Sequence, residues 1–134
     1  GFKGPILMSG MAFKGVPPTS DLRGSSSNNI LEYLTNEGLE VHLHDFENEA
    51  NTLKDFYNTK ALDAEDFNFD KVLKYDFILI LNNHHQYRDK IFYETILTLK
   101  KANQEIFIFD AWDSIGKLSK ELQESYKNLG NIFL

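Results

Sequence analysis

Short apolar segments alternate with amphipathic segments along most of the chain. Apolar runs lie at residues 5–9, 77–81 and 106–109, and residues 39–45 alternate between apolar and polar side chains. Runs of this length predict strands, and five consecutive apolar residues, as at 77–81, are typical of a strand buried on both faces of a parallel sheet. The segment 106–109 is likewise expected to form a buried strand.

Helical periodicity separates these strands. It is clearest at residues 26–37, 89–101 and 117–129, where apolar side chains recur every three or four positions. The predicted buried stripe of the segment 89–101 consists of Ile91, Phe92, Ile96 and Leu99. A short helix is expected at 70–74 and a final strand at 131–134, while 47–69 indicates a short helix and an irregular connection.

Strands that alternate with helices over short loops predict an α/β fold. We expect a Rossmann-like, doubly wound parallel sheet of about five strands in the order 3-2-1-4-5, with helices on both faces. In such a sheet ligands bind at the carboxyl ends of the strands, where the strand order reverses. The loop after the first strand and the loop at residues 82–87 are therefore expected to face each other.

Composition narrows the class of protein. The chain has 134 residues, 42% of them hydrophobic, which suits one globular domain. Its net charge of -6 and the lack of any basic run longer than Lys100–Lys101 argue against nucleic-acid binding. No apolar stretch approaches the roughly 18 residues that span a membrane. Because the sequence begins without Met and stops in a predicted strand, we expect residues 1–134 to be one domain of a longer protein.

The loop after the first predicted strand carries the main candidate chemistry. Gly10, Gly15 and Gly24 permit tight turns, and Lys14 and Arg23 place fixed positive charge near the start of a helix. Amide groups at a helix start, together with cationic side chains, suit a phosphate. Taken singly, each cation would more often be a solvated loop charge.

The same residues carry a resemblance to a known family. The run Gly-Met-Ala-Phe-Lys from Gly10, the Pro/Thr-containing spacer and the run Ser-Asp-Leu-Arg ending at Arg23 resemble the opening of the C-terminal, UDP-binding domain of the UDP-glucose/GDP-mannose dehydrogenase family. The similarity continues at residues 38–45, 75–87 and 106–110, and so covers nearly the whole chain. Where that family often has Gly-Arg after the aspartate, this chain has Ala111–Trp112.

The resemblance implies roles for individual residues. Phe13, Lys14, His84, Tyr87 and Trp112 are expected to contact the UDP-sugar, Arg23 to contact the cofactor, and Gly10, Asp21 and Asp110 to support the loops. Asp21 is expected to hold Arg23. Trp112 would stack on a base or sugar, although a partly buried core or interface position is an equal alternative.

The implied activity is that of an NAD-dependent UDP-sugar 6-dehydrogenase, which oxidises the sugar C6 alcohol to a uronate for polysaccharide biosynthesis in the cytoplasm. Its other parts would be an N-terminal NAD-binding domain and a central domain, and the complete enzyme would be a homo-oligomer. This chain has no cysteine and no Gly-x-Gly-x-x-Gly loop, so we expect it to be inactive alone. The alternative is a nucleotide-sugar-binding module or sensor without dehydrogenase activity.

Other readings concern the histidines and Asp45. The His42-x-His44 pair invites a zinc interpretation, but no cluster with metal spacing accompanies it, so we expect no metal and two surface histidines on a half-covered strand. Asp45 is equally a ribose-binding acid or a cap of the next turn. A response-regulator-like domain is disfavoured, because Gly10–Met11 and Asn82–Asn83 stand where carboxylates are needed.

Overall fold

The structure, a computed structural model, describes residues 4–116. Its strands are β1 Ile6–Ser9, β2 Val41–His44, β3 Phe77–Ile80 and β4 Phe107–Asp110. Its helices are α1 Ser26–Asn36, α2 Ala50–Tyr57, α3 Phe69–Val72 and α4 Lys90–Ala102, with short 3-10 helices at Ala64–Asp66 and His85–Arg88. The helix predicted at 117–129 and the strand predicted at 131–134 lie outside the described residues.

The strands form a parallel sheet, as the alternation of elements predicts. Its order is β2-β1-β3-β4, and Ile6 pairs with Val41 on one side and with Phe77 on the other. The predicted order 3-2-1-4-5 has one more strand beyond β2. At that edge the structure has only a parallel bridge between Ala61 and Leu43, so the described part of the sheet has four strands.

Helices pack on both faces of the sheet, as predicted. One face packs against α1 and α2 through residues such as Leu31 and Leu53, and the other against α4 through Phe92 and Leu99. Burying a large apolar side chain contributes about 1.5–3 kcal/mol. No helix within residues 4–116 is long and apolar enough to cross a membrane.

Helix α1 begins and ends where local signals predict. The Ser25 side chain accepts a hydrogen bond from the Ser27 amide at 3.2 Å and caps the amino end. Gly38 then has a φ of +81°, a left-handed conformation that glycine adopts without steric cost and that stops the helix. This helix start lies directly behind the loop that carries Lys14.

The predicted stripe of α4 was wrong at one position. Ile91 is 80% exposed, whereas Tyr93 is buried beside Phe92, Ile96 and Leu99. Positions 92, 96 and 99 follow the i, i+4, i+7 spacing of one helix face. Position 93 lies beside them, because it precedes position 96 by three residues. An isoleucine one position earlier points away from the sheet.

The prediction that β4 is buried was also wrong. Phe107 and Phe109 are 53% and 48% exposed. They share the sheet face on which Phe77 and Leu79 lie, and on that face α1 and α2 pack chiefly over β2. An apolar run predicts a strand, but it does not tell which of its faces has a partner.

Strand β2 departs from expectation in the opposite sense. It was expected to leave one face half covered, with His42 and His44 on the surface, yet all four of its residues are buried. His42 Nδ1 lies 2.7 Å from the Tyr75 hydroxyl, and His44 Nε2 lies 3.0 Å from the Ala64 carbonyl oxygen. Chain segments distant in sequence therefore cover this face and supply partners for both imidazoles.

Candidate functional site

Three loops meet the carboxyl edge of the sheet. The first loop, residues 10–25, follows β1; the second loop, residues 81–89, follows β3; and the third loop, residues 111–113, follows β4. Because the strands are parallel, all three leave the sheet at the same edge. A fourth segment, the turn at residues 45–49, follows β2 at that edge too.

The base of the first loop is held firmly. Gly10 has a φ of +98°, and a Cβ there would lie 2.7 Å from the amide nitrogen of Asn82. The Ser27 hydroxyl donates to the Gly10 carbonyl oxygen at 2.9 Å, and the Ala12 amide donates to Asp45 Oδ1 at 2.9 Å. Only glycine fits at position 10. Its role in supporting a ligand site stays a prediction.

Beyond this base, Phe13 and Lys14 stand at the surface. The Phe13 amide donates to the Asp21 carbonyl oxygen at 2.6 Å, which closes residues 14–20 into a projecting excursion. The Phe13 ring is 53% exposed and Lys14 Nζ lies 6.0 Å from its centroid. Within residues 4–116 the Lys14 ammonium has no carboxylate partner, so its charge is available to an anion.

Arg23 is held by Asp21. Arg23 Nε donates to Asp21 Oδ1 at 3.0 Å and Nη2 donates to Oδ2 at 3.2 Å. These hydrogen bonds from Arg23 hold the pKa of the Asp21 carboxyl below its usual value. The guanidinium remains largely exposed at the rim of the loop, and Asp21 orients it through two hydrogen bonds.

The first and second loops touch, as the strand order predicts. The Gly15 amide donates to Asn83 Oδ1 at 3.2 Å. A Cβ on Gly15 would run into the backbone of Asn83 and His84, so the two chains approach as closely as glycine allows. This contact brings Lys14 beside the second loop.

His84 lies in this contact, but its ring is buried. It is 3% exposed, Nδ1 accepts from the Gln86 amide at 3.1 Å, and Nε2 lies 3.1 Å from Glu47 Oε2. Its neighbour His85 stacks on it with ring centroids 4.3 Å apart and is exposed. Of the two imidazoles, His85 is the one that faces outward.

Tyr87 is buried completely and belongs to a hydrogen-bonded chain. Its hydroxyl lies 2.6 Å from Ser9 Oγ, which lies 2.6 Å from His44 Nδ1. His44 Nε2 faces the Ala64 carbonyl oxygen, which only accepts, so Nε2 carries the proton and Nδ1 accepts from Ser9. The Ser9 hydroxyl in turn accepts from the Tyr87 hydroxyl, so each of the three side chains, Tyr87, Ser9 and His44, donates one hydrogen bond.

Burial sets the protonation states of this chain. Desolvation lowers the pKa of His44 to about 4 and raises the pKa of the Tyr87 hydroxyl well above its usual value. Both groups are therefore neutral near pH 7. The Tyr87 side chain supports the second loop from below. The direct ligand contact expected of Tyr87 stays a prediction.

The third loop brings Trp112 to the surface. Asp110 Oδ2 accepts from the Ile115 amide at 2.8 Å, and its main-chain oxygen accepts from the Asp113 amide at 3.1 Å, which gives the loop its support. Asp110 Oδ1 is buried and has no partner among the described residues. Trp112 is 50% exposed, and in residues 4–116 no hydrogen bond or ring contact joins it to the other loops.

Asp45 acts as a cap in this structure. It is 1% exposed; Oδ2 accepts from the Glu47 amide and the Asn48 side chain, and Oδ1 accepts from Ala12. Neither oxygen is directed to solvent for a ribose. Of the two readings of Asp45, the structure supports the cap.

The histidines form no metal centre in the part of the chain that the structure describes. There, no group of three or more His, Asp or Glu side chains is arranged to hold an ion. Both ring nitrogens of His42 are occupied, one by Tyr75 and the other by Glu40 at 2.6 Å. The His-x-His spacing reflects internal hydrogen bonding.

Sequence reasoning missed Ser9 and Glu47. Ser9 ends an apolar strand, and Glu47 lies in a polar stretch with no periodicity. Their partners are 35 to 78 residues away along the chain. Position at the carboxyl end of a strand is the one signal that could have drawn attention to Ser9.

Comparison with protein families gives a match over most of the chain. The model for the UDP binding domain of the UDP-glucose/GDP-mannose dehydrogenase family matches residues 7–117. The match contains all three loops and the whole described sheet except Ile6. Searches of curated proteins and of solved structures found no match.

Proposed function

Because the chain belongs to the UDP-glucose/GDP-mannose dehydrogenase family, as its UDP-binding domain, we propose that its three loops bind the diphosphate and uridine of a UDP-sugar. Lys14 is the proposed diphosphate contact. Phe13 and Trp112 offer half-exposed rings to the base or the sugar. His84 and Tyr87 are buried and support the second loop behind the proposed site, and Gly10, Asp21 and Asp110 support the other loops.

The observation that carries this proposal is the contact between Gly15 and the second loop. It holds the backbone next to Lys14 against the second loop, at the carboxyl edge of the sheet. Cations presented beside backbone amides at such an edge suit a phosphate group. A charge-assisted hydrogen bond contributes about 1.5–3 kcal/mol, so one lysine changes the dissociation constant by about 10- to 100-fold.

The proposed reaction is the oxidation of the sugar C6 alcohol to a carboxylate, with NAD as the hydride acceptor. This chain does not offer a dinucleotide cradle, because the first loop lacks the Gly-x-Gly-x-x-Gly pattern and Asp45 is used internally. We assign the NAD site and the catalytic thiol to other domains of a cytoplasmic homo-oligomer that serves polysaccharide biosynthesis. Arg23, exposed and fixed by Asp21, is the proposed contact on the cofactor side.

A titration of the 134-residue chain with UDP tests the binding site. In two-dimensional amide NMR we expect UDP and UDP-sugars to shift resonances in residues 10–24, 82–87 and 110–114, and NAD to leave them unchanged. Shifts confined to another surface, or produced by NAD and not by UDP, would contradict the proposal.

Replacing Lys14 tests its role in this binding. Lys14→Ala removes a cation that has no carboxylate partner within residues 4–116, and we expect the dissociation constant for UDP to rise about 10- to 100-fold, as the loss of one charge-assisted hydrogen bond implies. Lys101→Ala removes an equal charge from the exposed end of α4, at the opposite edge of the sheet, and should bind UDP as the wild type does. Equal affinities of both variants would rule out Lys14 as the diphosphate contact.

A further inference from the structure

The turn that follows β2 contacts both of the converging loops. Asp45 Oδ1 accepts from the Ala12 amide of the first loop, and Glu47 Oε2 lies 3.1 Å from His84 Nε2 of the second loop. The two acids are joined, because Asp45 Oδ2 accepts from the Glu47 amide at 3.0 Å. One short turn therefore holds the loops on either side of the crevice.

The direction of the bond between His84 and Glu47 follows from the other ring nitrogen. Nδ1 of His84 accepts from the Gln86 amide, so a neutral ring carries its proton on Nε2 and donates it to the Glu47 carboxylate. The ring is packed between Phe46, with centroids 5.2 Å apart, and His85. Rotating it would break both hydrogen bonds, so Glu47 fixes the orientation of the ring.

The orientation of this ring matters for the crevice because the His84 backbone is what Gly15 touches. The His84 amide donates to Asn82 Oδ1 at 3.1 Å, and a Cβ on Gly15 would collide with the His84 backbone. A shift of His84 is therefore passed directly to Gly15 and to the adjacent Lys14. Packed, hydrogen-bonded supports of this kind set how accurately a site is preorganised.

We propose that Glu47 is a positioning residue of the nucleotide crevice: by accepting the hydrogen bond of His84 it fixes the second loop against which the Lys14 segment rests. This inference rests on the proposed function and adds to it a residue that makes no contact with the ligand. It assigns His84 an indirect role, since both of its ring nitrogens serve the protein.

Two substitutions of Glu47 separate the hydrogen bond from the charge. Glu47→Gln keeps an oxygen that accepts from Nε2, and Glu47→Leu removes the acceptor. Glu105→Leu is the matched control, since Glu105 is exposed and precedes β4 at the opposite edge of the sheet. Glu47→Ala makes the same deletion as Glu47→Leu without adding an exposed apolar side chain, should the latter fail to fold.

The measurements are the UDP affinity, the amide resonances of Gly15 and Lys14 without ligand, and the imidazole nitrogen resonances of His84. Glu47→Leu should change the His84 nitrogen resonances, shift both amides and weaken UDP binding about tenfold, the effect of one hydrogen bond. Glu47→Gln should keep the Nε2–H tautomer and an affinity within about twofold of the wild type, and Glu105→Leu should match the wild type.

The outcomes for the two proposals are distinct. Wild-type affinity and unshifted Gly15 and Lys14 amides in Glu47→Leu would overturn the positioning role. If the wild-type chain binds no UDP, the proposed function fails, and the amide shifts without ligand still decide the role of Glu47. Shifts in Glu47→Leu that are absent in Glu47→Gln and Glu105→Leu support it.

Discussion

Among single residues, His44 shows most clearly how burial determines chemistry at the sheet edge. It is fully buried at the end of β2, with both ring nitrogens hydrogen-bonded. Charging it would force Nδ1 to become a donor facing the Ser9 hydroxyl, which would have to give up its own donated bond. Desolvation lowers the pKa of His44 and His84 acts in the same direction; together they outweigh the Ala64 carbonyl and the carboxylates of Asp45 and Asp66, which favour the charged ring.

This burial predicts a pH-dependent stability. The pKa of His44 is lowered from 6.5 to about 4, so the unfolded chain binds the proton more tightly than the native one. The stability that neutral His44 contributes to the native state is fully present above about pH 6.5 and is lost as the pH falls towards 4. The difference between the two pKa values corresponds to about 3 kcal/mol of unfolding free energy.

Urea unfolding of the wild type and of His44→Asn at pH 7 and pH 4.5 measures this contribution. The variant should be less stable at pH 7, because at least one buried hydrogen bond is lost, at a cost of about 1–3 kcal/mol. It should then lose less stability than the wild type on acidification. Parallel losses in the two proteins would contradict the assignment to His44.

Single side chains also mark how far sequence reasoning reaches. The exposure of Phe13 and Lys14 and the pairing of Arg23 with Asp21 agree with a loop rich in glycine, proline and charge. The burial of His84 could not be predicted, because it depends on Glu47 and on a stacked neighbour. A histidine in a polar loop reads as exposed until its distant partners are known.

On the scale of elements, the close contact between the first and second loops requires a glycine at position 15. An alanine Cβ at Gly15 would collide with the Asn83–His84 backbone. The projecting loop can move away more easily than the sheet-anchored second loop, so Gly15→Ala should displace Lys14 and weaken UDP binding about tenfold or more. Overpacking of this kind costs about 1–3 kcal/mol when it is not relieved by movement.

Gly4→Ala is the control for this change, since its Cβ would make only ordinary contacts, the nearest at 3.6 Å. UDP titrations and thermal unfolding of both variants give the comparison. A Gly15→Ala chain that binds UDP like the wild type would show that the loop contact does not set the site.

Element types follow from periodicity in most of the described chain, whereas the faces they bury do not. Strands β1 and β3 and helices α1 and α4 lie within a few residues of their predicted positions. Ile91, Phe107 and Phe109 were assigned to the interior because they are apolar, yet they are exposed. Local pattern reports the period of a segment, while burial depends on which other segments reach it.

At the level of the whole molecule, the chain is the UDP-binding domain of a dehydrogenase family. It has no thiol for a covalent intermediate and no dinucleotide loop. Its cations on the first loop differ in setting: Lys14 is unpaired within residues 4–116, and Arg23 is oriented by Asp21 at the exposed rim. We therefore propose that Lys14 contacts the substrate and that Arg23 contacts a cofactor bound by another domain.

This division predicts how activity responds to assembly. The 134-residue chain should bind UDP-sugars and form no NADH from UDP-glucose or UDP-N-acetylmannosamine, whereas a polypeptide that joins it to the proposed NAD-binding and central domains should form it. In that longer polypeptide, Arg23→Ala should raise the KM for NAD, and Lys14→Ala should raise the KM for the UDP-sugar. In the isolated chain, Arg23→Ala should leave UDP binding unchanged, and Lys14→Ala should weaken it. NADH formation by the isolated chain would contradict the domain assignment.

A longer polypeptide that binds UDP-sugars and forms no NADH would instead favour a nucleotide-sugar-binding module, since the described loops would then serve recognition alone.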